Sequence, residues 1–172
     1  MKKQVLLLFV MLPMIAMAQF DQYFTESSLR VDYCLTGNHK ATTFSLKELI
    51  HEPYWSGSKT NLIDNLEFGN YIVKVYEAGT DKLLFSKGYQ NLYGEWQTTD
   101  EAKVITKTFD ESVIVPFPKV KIDVAICYKT WEGELVEGMR ITVKPDDYFI
   151  RDYDNLNFPV YDAWIGNKDI RS

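Results

Sequence analysis

Metal-binding and nucleophilic side chains are scarce in this chain of 172 residues, which holds two histidines and two cysteines. The histidines, His39 and His51, stand apart, and a three-ligand zinc site needs more than they supply. His51-Glu52 opens like the H-E-x-x-H zinc helix, in which two histidines one turn apart hold the metal and the glutamate activates water. The run continues instead as Pro53-Tyr54-Trp55, with no second histidine and a proline that stops the helix. There is no G-x-S-x-G elbow, no Gly-rich loop ahead of a helix, and neither cysteine lies in a Cys/His nucleophile motif. The acidic pairs Asp110-Glu111 and Asp146-Asp147 fall in strand-edge or turn contexts, where a solvated surface explains them. The residues thus nominate no catalytic group, no metal ligand and no cofactor.

Long apolar runs are equally rare. The one at the start, Val5 to Ile15, follows the basic Lys2 and Lys3 and leads to Ala16-Met17-Ala18, the pattern of a secretory signal with an A-x-A cleavage site. It is shorter than the roughly 20 apolar residues of a membrane span, is broken by Pro13, and ends in the polar Gln19, Asp21 and Gln22. The expectation is cleavage after Ala18 and export to the periplasm or beyond, with no membrane span. No cysteine stands at the cleavage point, which excludes the lipoprotein route.

Basic charge is in deficit, with 19 Lys and Arg against 24 Asp and Glu, and the deficit deepens once Lys2 and Lys3 leave with the leader. Such a chain avoids nucleic acid and anionic lipid. What is plentiful is aromatic surface, 15% of residues, which argues against disorder. The remaining length suits one domain with an ample core.

The dominant periodicity is two. Leu29, Val31, Tyr33 and Leu35 alternate with Arg30, Asp32 and Cys34 over 29–36. A short extended piece at 41–44 precedes Ser45-Leu46-Lys47-Glu48, whose S-x-x-E form predicts a helix of one or two turns ending at Pro53. After a turn-rich stretch over 54–69, residues 71–76 and 82–89 read as a hairpin about Gly79-Thr80-Asp81. Thr98 to Glu101 predicts a further helical turn. Extended runs follow at 104–115, 119–131 and 134–144, separated by Pro116-Phe117-Pro118 and Glu132-Gly133. In the middle run Val120, Ile122, Val124, Ile126 and Tyr128 mark a core face, and Lys121, Asp123, Ala125, Cys127 and Lys129 a solvent face. The expected fold is mainly β, an antiparallel β-sandwich of broadly immunoglobulin-like type with one or two short helices. It would occupy 19–144, followed by a linker or docking tail over 145–172. Cys34 and Cys127 can form a disulfide only if their strands are neighbours.

Loop aromatics supply the candidate contacts for a ligand or a second domain. Tyr54 with Trp55, Tyr93 with Trp96, and Trp131 lie in or beside loops, where such rings form a platform for sugar or peptide or seal the ends of a core. Trp164, in the tail, has no predicted partner within the domain and would suit packing against a neighbouring one.

Several short stretches carry a resemblance. Phe20-Asp21-Gln22-Tyr23-Phe24-Thr25, then Leu29-Arg30-Val31-Asp32-Tyr33 and Thr36-Gly37-Asn38, are followed by Leu46-Lys47-Glu48-Leu49 and Trp55-Ser56-Gly57. Further on come Glu95-Trp96, Thr99-Asp100-Glu101-Ala102-Lys103, Val115-Pro116-Phe117-Pro118-Lys119, Pro145-Asp146-Asp147 and Ile150-Arg151-Asp152. In this order they resemble the N-terminal domain of the IgA-peptidase family of secreted zinc metallopeptidases of Bacteroides type. The resemblance implies a β-rich domain ahead of a catalytic domain that bears the zinc helix. No position of this chain matches a catalytic residue, so what carries over is an accessory role, with a zinc peptidase catalytic domain as partner. The rival readings are an exported module that holds glycan or peptide, and a structural domain at the cell surface.

Overall fold

The computed structural model describes residues 19–153. They form two four-stranded sheets laid face to face, a sandwich-like arrangement with short helical pieces at its ends. The first sheet has the order β5-β1-β2-β8 and the second β4-β3-β6-β7. The strands are β1 (Phe24–Gly37), β2 (Thr42–Glu52), β3 (Tyr71–Glu77), β4 (Leu83–Tyr89), β5 (Lys107–Pro118), β6 (Ile122–Lys129), β7 (Leu135–Val143) and β8 (Ile150–Asp152). All pairings are antiparallel except β2 with β8.

Alternation puts the predicted apolar stripes between the sheets. Leu29, Val31, Tyr33 and Leu35 of β1, with Val113, Val115 and Phe117 of β5, face Tyr71, Val73 and Val75 of β3 and Ile122, Val124 and Ile126 of β6 in one buried cluster. Val120 precedes β6 and packs only partly buried against it. Fully burying an aliphatic side chain contributes about 1.5–3 kcal/mol, so this layer is the main source of stability. Across it the Phe44 ring of β2 stacks on Tyr33 at 6.4 Å and tilts on Tyr128 of the second sheet at 5.5 Å.

Four expectations need correction. The helix predicted from Ser45 to Pro53 is strand β2. Its register against β1 slips between Asp32↔Glu48 and Tyr33↔Leu46, leaving Lys47 as an extra residue. That bulge shifts the alternation by one and spaces Leu46, Leu49 and Ile50 at three and four residues, a helical period made by a strand. Pro116-Phe117-Pro118 does not separate strands but ends β5, which is tolerated because β5 is an edge strand and the prolines owe no ladder bond on its outer side. The β6 face read as solvent is not open: Ala125 and Cys127 are buried with Ile72 and packed by Tyr76. Lys74 and Arg140 stand across from Ala125 on the two neighbouring strands, and the Arg140 guanidinium lies 4.8 Å over the Tyr76 ring.

The fourth correction concerns the tail. Residues 150–152 are not linker but β8, parallel to Leu49, Ile50 and His51. Arg151 reaches Glu48 at 3.3 Å and the Tyr153 amide donates to the His51 carbonyl at 2.9 Å. The leader, the remainder of the tail and Trp164 lie outside the described residues. Cys34 is in the first sheet and Cys127 in the second, and both are free thiols. The five-residue helix Leu92–Trp96 had no counterpart in the periodicity; Asn91 starts it by accepting the Gly94 amide at 2.8 Å. The helical turn expected near Glu101 is the 3-10 helix Glu101–Lys103, although Thr98 does not cap it and instead donates to the Glu95 carbonyl at 2.7 Å.

Candidate functional site

The larger cleft, about 530 Å³, opens at the end of the sandwich where β1 turns into β2 and β6 turns into β7. Both turns are held rigidly. Asn38 closes the first through its amide on the Ala41 carbonyl (3.0 Å), and its side-chain oxygen takes the Lys40 and Ala41 amides (2.9 and 3.3 Å). Thr130 closes the second, accepting from Gly133 at 3.0 Å and donating to Glu134 at 2.8 Å, with Gly133 at φ +85. The left-handed conformation there favours glycine. His39, Lys40 and Thr42 form one wall, and Thr130, Trp131 and Glu132 the other. The floor comes from Asn70, Tyr71 and Tyr128 and from Gly94 and Gln97 of the helical segment. The Trp131 indole N–H donates to the His39 carbonyl at 3.3 Å, which joins the two walls.

Beneath the floor lies a cluster of phenols. Tyr33 and Tyr89 share a hydrogen bond of 2.8 Å, and burial pushes the Tyr33 hydroxyl up to about 12 and also raises those of Tyr71 and Tyr89. Tyr93 is fully buried, and its hydroxyl meets Thr42 Oγ1 at 3.0 Å. Glu111 of β5 accepts from the Tyr93 amide at 3.3 Å, and burial raises its carboxyl above the usual range. Gln97 ties helix to turn, its Nε2 donating to the Asn38 carbonyl (2.9 Å) and to Thr42 Oγ1 (3.1 Å). All of this fixes the cleft in shape: its floor is core and its walls are short turns.

The predicted aromatics divide among three places. Trp131 stands in the cleft wall and is 70% exposed. Tyr93 lies below the floor, and Trp96 packs beside it at 5.6 Å and on Phe109 at 5.3 Å, its indole N–H donating to Glu101 at 2.7 Å. Those two seal the core. Tyr54 and Trp55 sit at the opposite end of β1, where the Trp55 amide bonds the Glu26 carbonyl at 2.7 Å. Tyr54 is exposed; Trp55 meets Phe85 edge-on at 5.7 Å and borders a smaller cleft of about 230 Å³. Sequence reasoning missed Asn70, Gln97 and Tyr128, whose nearest signals were the Gly37-Asn38 and Glu132-Gly133 turns that bracket the cleft.

His51 has a different role from the one its motif invites. On a strand, His51 and Glu52 point to opposite faces: Glu52 pairs with Arg30 at 2.9 Å outside, while the His51 ring lies 4.2 Å from that of Phe117. Its Nε2 is 2.9 Å from Ser27 Oγ and its Nδ1 3.1 Å from Asp152 Oδ1, the order of a nucleophile, base and acid. Acyl transfer also requires an enclosed carboxylate and a substrate cleft. Asp152 is 91% exposed on its side chain, the Ser27 hydroxyl is shared with Thr25 Oγ1 at 2.6 Å, and none of the three lines either cleft. The trio works as a stitch that joins β8 to β2 and β1. Among the described residues no three of His, Cys, Asp and Glu are grouped to hold a metal ion, and no helix is long and apolar enough to cross a membrane.

Fold and site together define a mainly β, two-sheet domain with a cleft of about 530 Å³ built on turns at one end. Residues 19–138 match the family described as Peptidase M64 N-terminus. The chain belongs to that family, and is therefore a peptidase-associated N-terminal domain. None of the curated proteins matches it.

Proposed function

We propose that this domain is non-catalytic and serves a secreted zinc peptidase of its family, supporting the catalytic domain and positioning its substrate. The observation that carries this reading is the family match over 19–138, which spans the sheets from the first residue after the expected leader to the middle of β7. The stitching of β8 is in keeping with it. A chain that leaves a domain through a strand paired on both backbone and side chains leaves in a defined direction, which is what a domain that orients its neighbour requires. Export after cleavage at Ala18 belongs to the same proposal, with Gln19 as the expected first residue of the mature protein by mass spectrometry.

The test is a peptidase assay with metal analysis on the purified chain, alone and mixed with a catalytic domain of the family. Alone it should hold no stoichiometric zinc and leave casein and immunoglobulin intact. In the mixture it should lower KM while leaving kcat unchanged, the signature of added substrate binding. Hydrolysis by the chain alone that disappears in His51→Ala or Ser27→Ala would overturn the reading.

A further inference from the structure

We infer that the end cleft walled by Trp131 is a binding site for short oligosaccharides. Trp131 is a large ring with 70% of its surface open, yet its edge is pinned to the His39 carbonyl at 3.3 Å. An exposed indole held in one orientation presents its flat face at little entropic cost on binding. A sugar ring offers an apolar face of C–H groups that stacks on such a surface, and a rim of hydroxyls that exchange hydrogen bonds with neutral amides and alcohols. The cleft supplies that second requirement from Asn70, Gln97 and Thr130. Gln97 commits its amide nitrogen to Asn38 and Thr42, which locks the side chain and leaves its carbonyl oxygen as an oriented acceptor. Lys40 and Glu132, of opposite sign, stand on opposing walls and add donors and acceptors at the mouth.

The size agrees: about 530 Å³ falls within the range of small-ligand sites. The architecture also bears on the choice between sugar and peptide. Extended peptides are captured by adding a strand to an open sheet edge. The strand residues of this cleft come from β2, β3 and β6; β3 and β6 have a neighbour on both sides, whereas Thr42 of β2 pairs with β1 alone, β8 reaching only Leu49 to His51. β3 and β6 therefore offer no unpaired backbone row, and recognition along them goes through side chains and a ring face; the side of β2 away from β1, which β8 leaves uncovered ahead of Leu49, is the place where a peptide would add instead. This site stands independently of any catalytic partner, because every group in it belongs to this chain.

The experiment titrates the full chain with neutral and acidic oligosaccharides of two to four sugar units, and separately with extended peptides of mixed sequence, following tryptophan emission and isothermal heats. The expected result is binding of at least one oligosaccharide series, with affinity falling about tenfold in Trp131→Ala and held more closely in Trp131→Phe, as loss of one stacking contact predicts. Unchanged melting of both variants shows that the loss is local. Three results overturn the inference: no oligosaccharide bound at about 10 mM, the weak limit of specific recognition; binding equal in Trp131→Ala; or binding of the peptides alone. Each leaves the peptidase-associated role untouched, since that role is read from KM in the mixed assay.

Discussion

Replacing Gly37 by alanine tests how tightly the cleft is tied to the core. Gly37 ends β1, and a methyl group built there would lie 2.0 Å from the Ala41 carbonyl oxygen and 2.5 Å from the Tyr93 hydroxyl. The nearer atom is backbone, so no rotamer change relieves the clash; the turn over 38–41 has to open. Opening it breaks the Asn38–Ala41 bond and pulls Thr42 from Tyr93. Each such bond contributes about 0.5–1.5 kcal/mol, and forcing an extra carbon into a packed site costs about 1–3 kcal/mol. Against this, alanine restricts the unfolded chain and returns about 0.4–1 kcal/mol. The net expectation is destabilisation of about 2–4 kcal/mol, read from urea unfolding of the purified chain at unchanged m-value. Gly133→Ala is the control. Nothing lies within 4 Å of a methyl group there, and only the positive φ of +85 opposes the change, so the cost should be about 1–2 kcal/mol. Equal costs at the two positions, or a gain at Gly37, would show that the clash with the turn does not govern this end of the sandwich.

Three further outcomes follow from the packing and the charges. Ile122, fully buried on β6, should cost about 2–5 kcal/mol when cut to alanine, and a cost below about 0.5 kcal/mol in denaturant unfolding, the level of surface sites, would mean its face is misassigned. Glu111 has its carboxyl raised by burial, so the folded state holds its proton longer than the unfolded chain does. Stability should therefore fall as pH rises from the unfolded value through the raised folded one. Glu111→Gln, which keeps an acceptor for the Tyr93 amide, should remove that fall and melt higher than the parent at pH 7; identical pH profiles would refute it. Both thiols are pushed up, that of Cys34 by its bond to Asp110 and that of Cys127 by burial, so access separates them: part-exposed Cys34 should react with a disulfide reagent in the native protein, whereas buried Cys127 should react only after unfolding. Two equally fast thiols, or none after denaturation without reductant, would contradict the placement of these strands.

The sequence by itself determined the sandwich. Alternation in 29–36, 71–76 and 122–128 gives each strand a continuous apolar stripe, and two such sheets bury those stripes against each other. It also showed that His51-Glu52 does not open an H-E-x-x-H helix, since Pro53 follows at once. Other features were decided by partners far along the chain. The bulge at Lys47 exists because β1 fixes the register on both sides of it, and local spacing alone then mimics a helix. Strand β8 exists because β2 had a free edge to receive Ile150–Asp152, which no periodicity in three residues could announce. The placement of the aromatics was decided in the same way. Tyr93, Trp96 and Trp131 look alike as loop residues in the sequence, yet the fold buries the first, packs the second on Phe109, and leaves the third standing in the wall of a cleft. Side-chain chemistry is local and was legible; burial depends on what the rest of the chain brings against it, and only the tertiary structure supplies that.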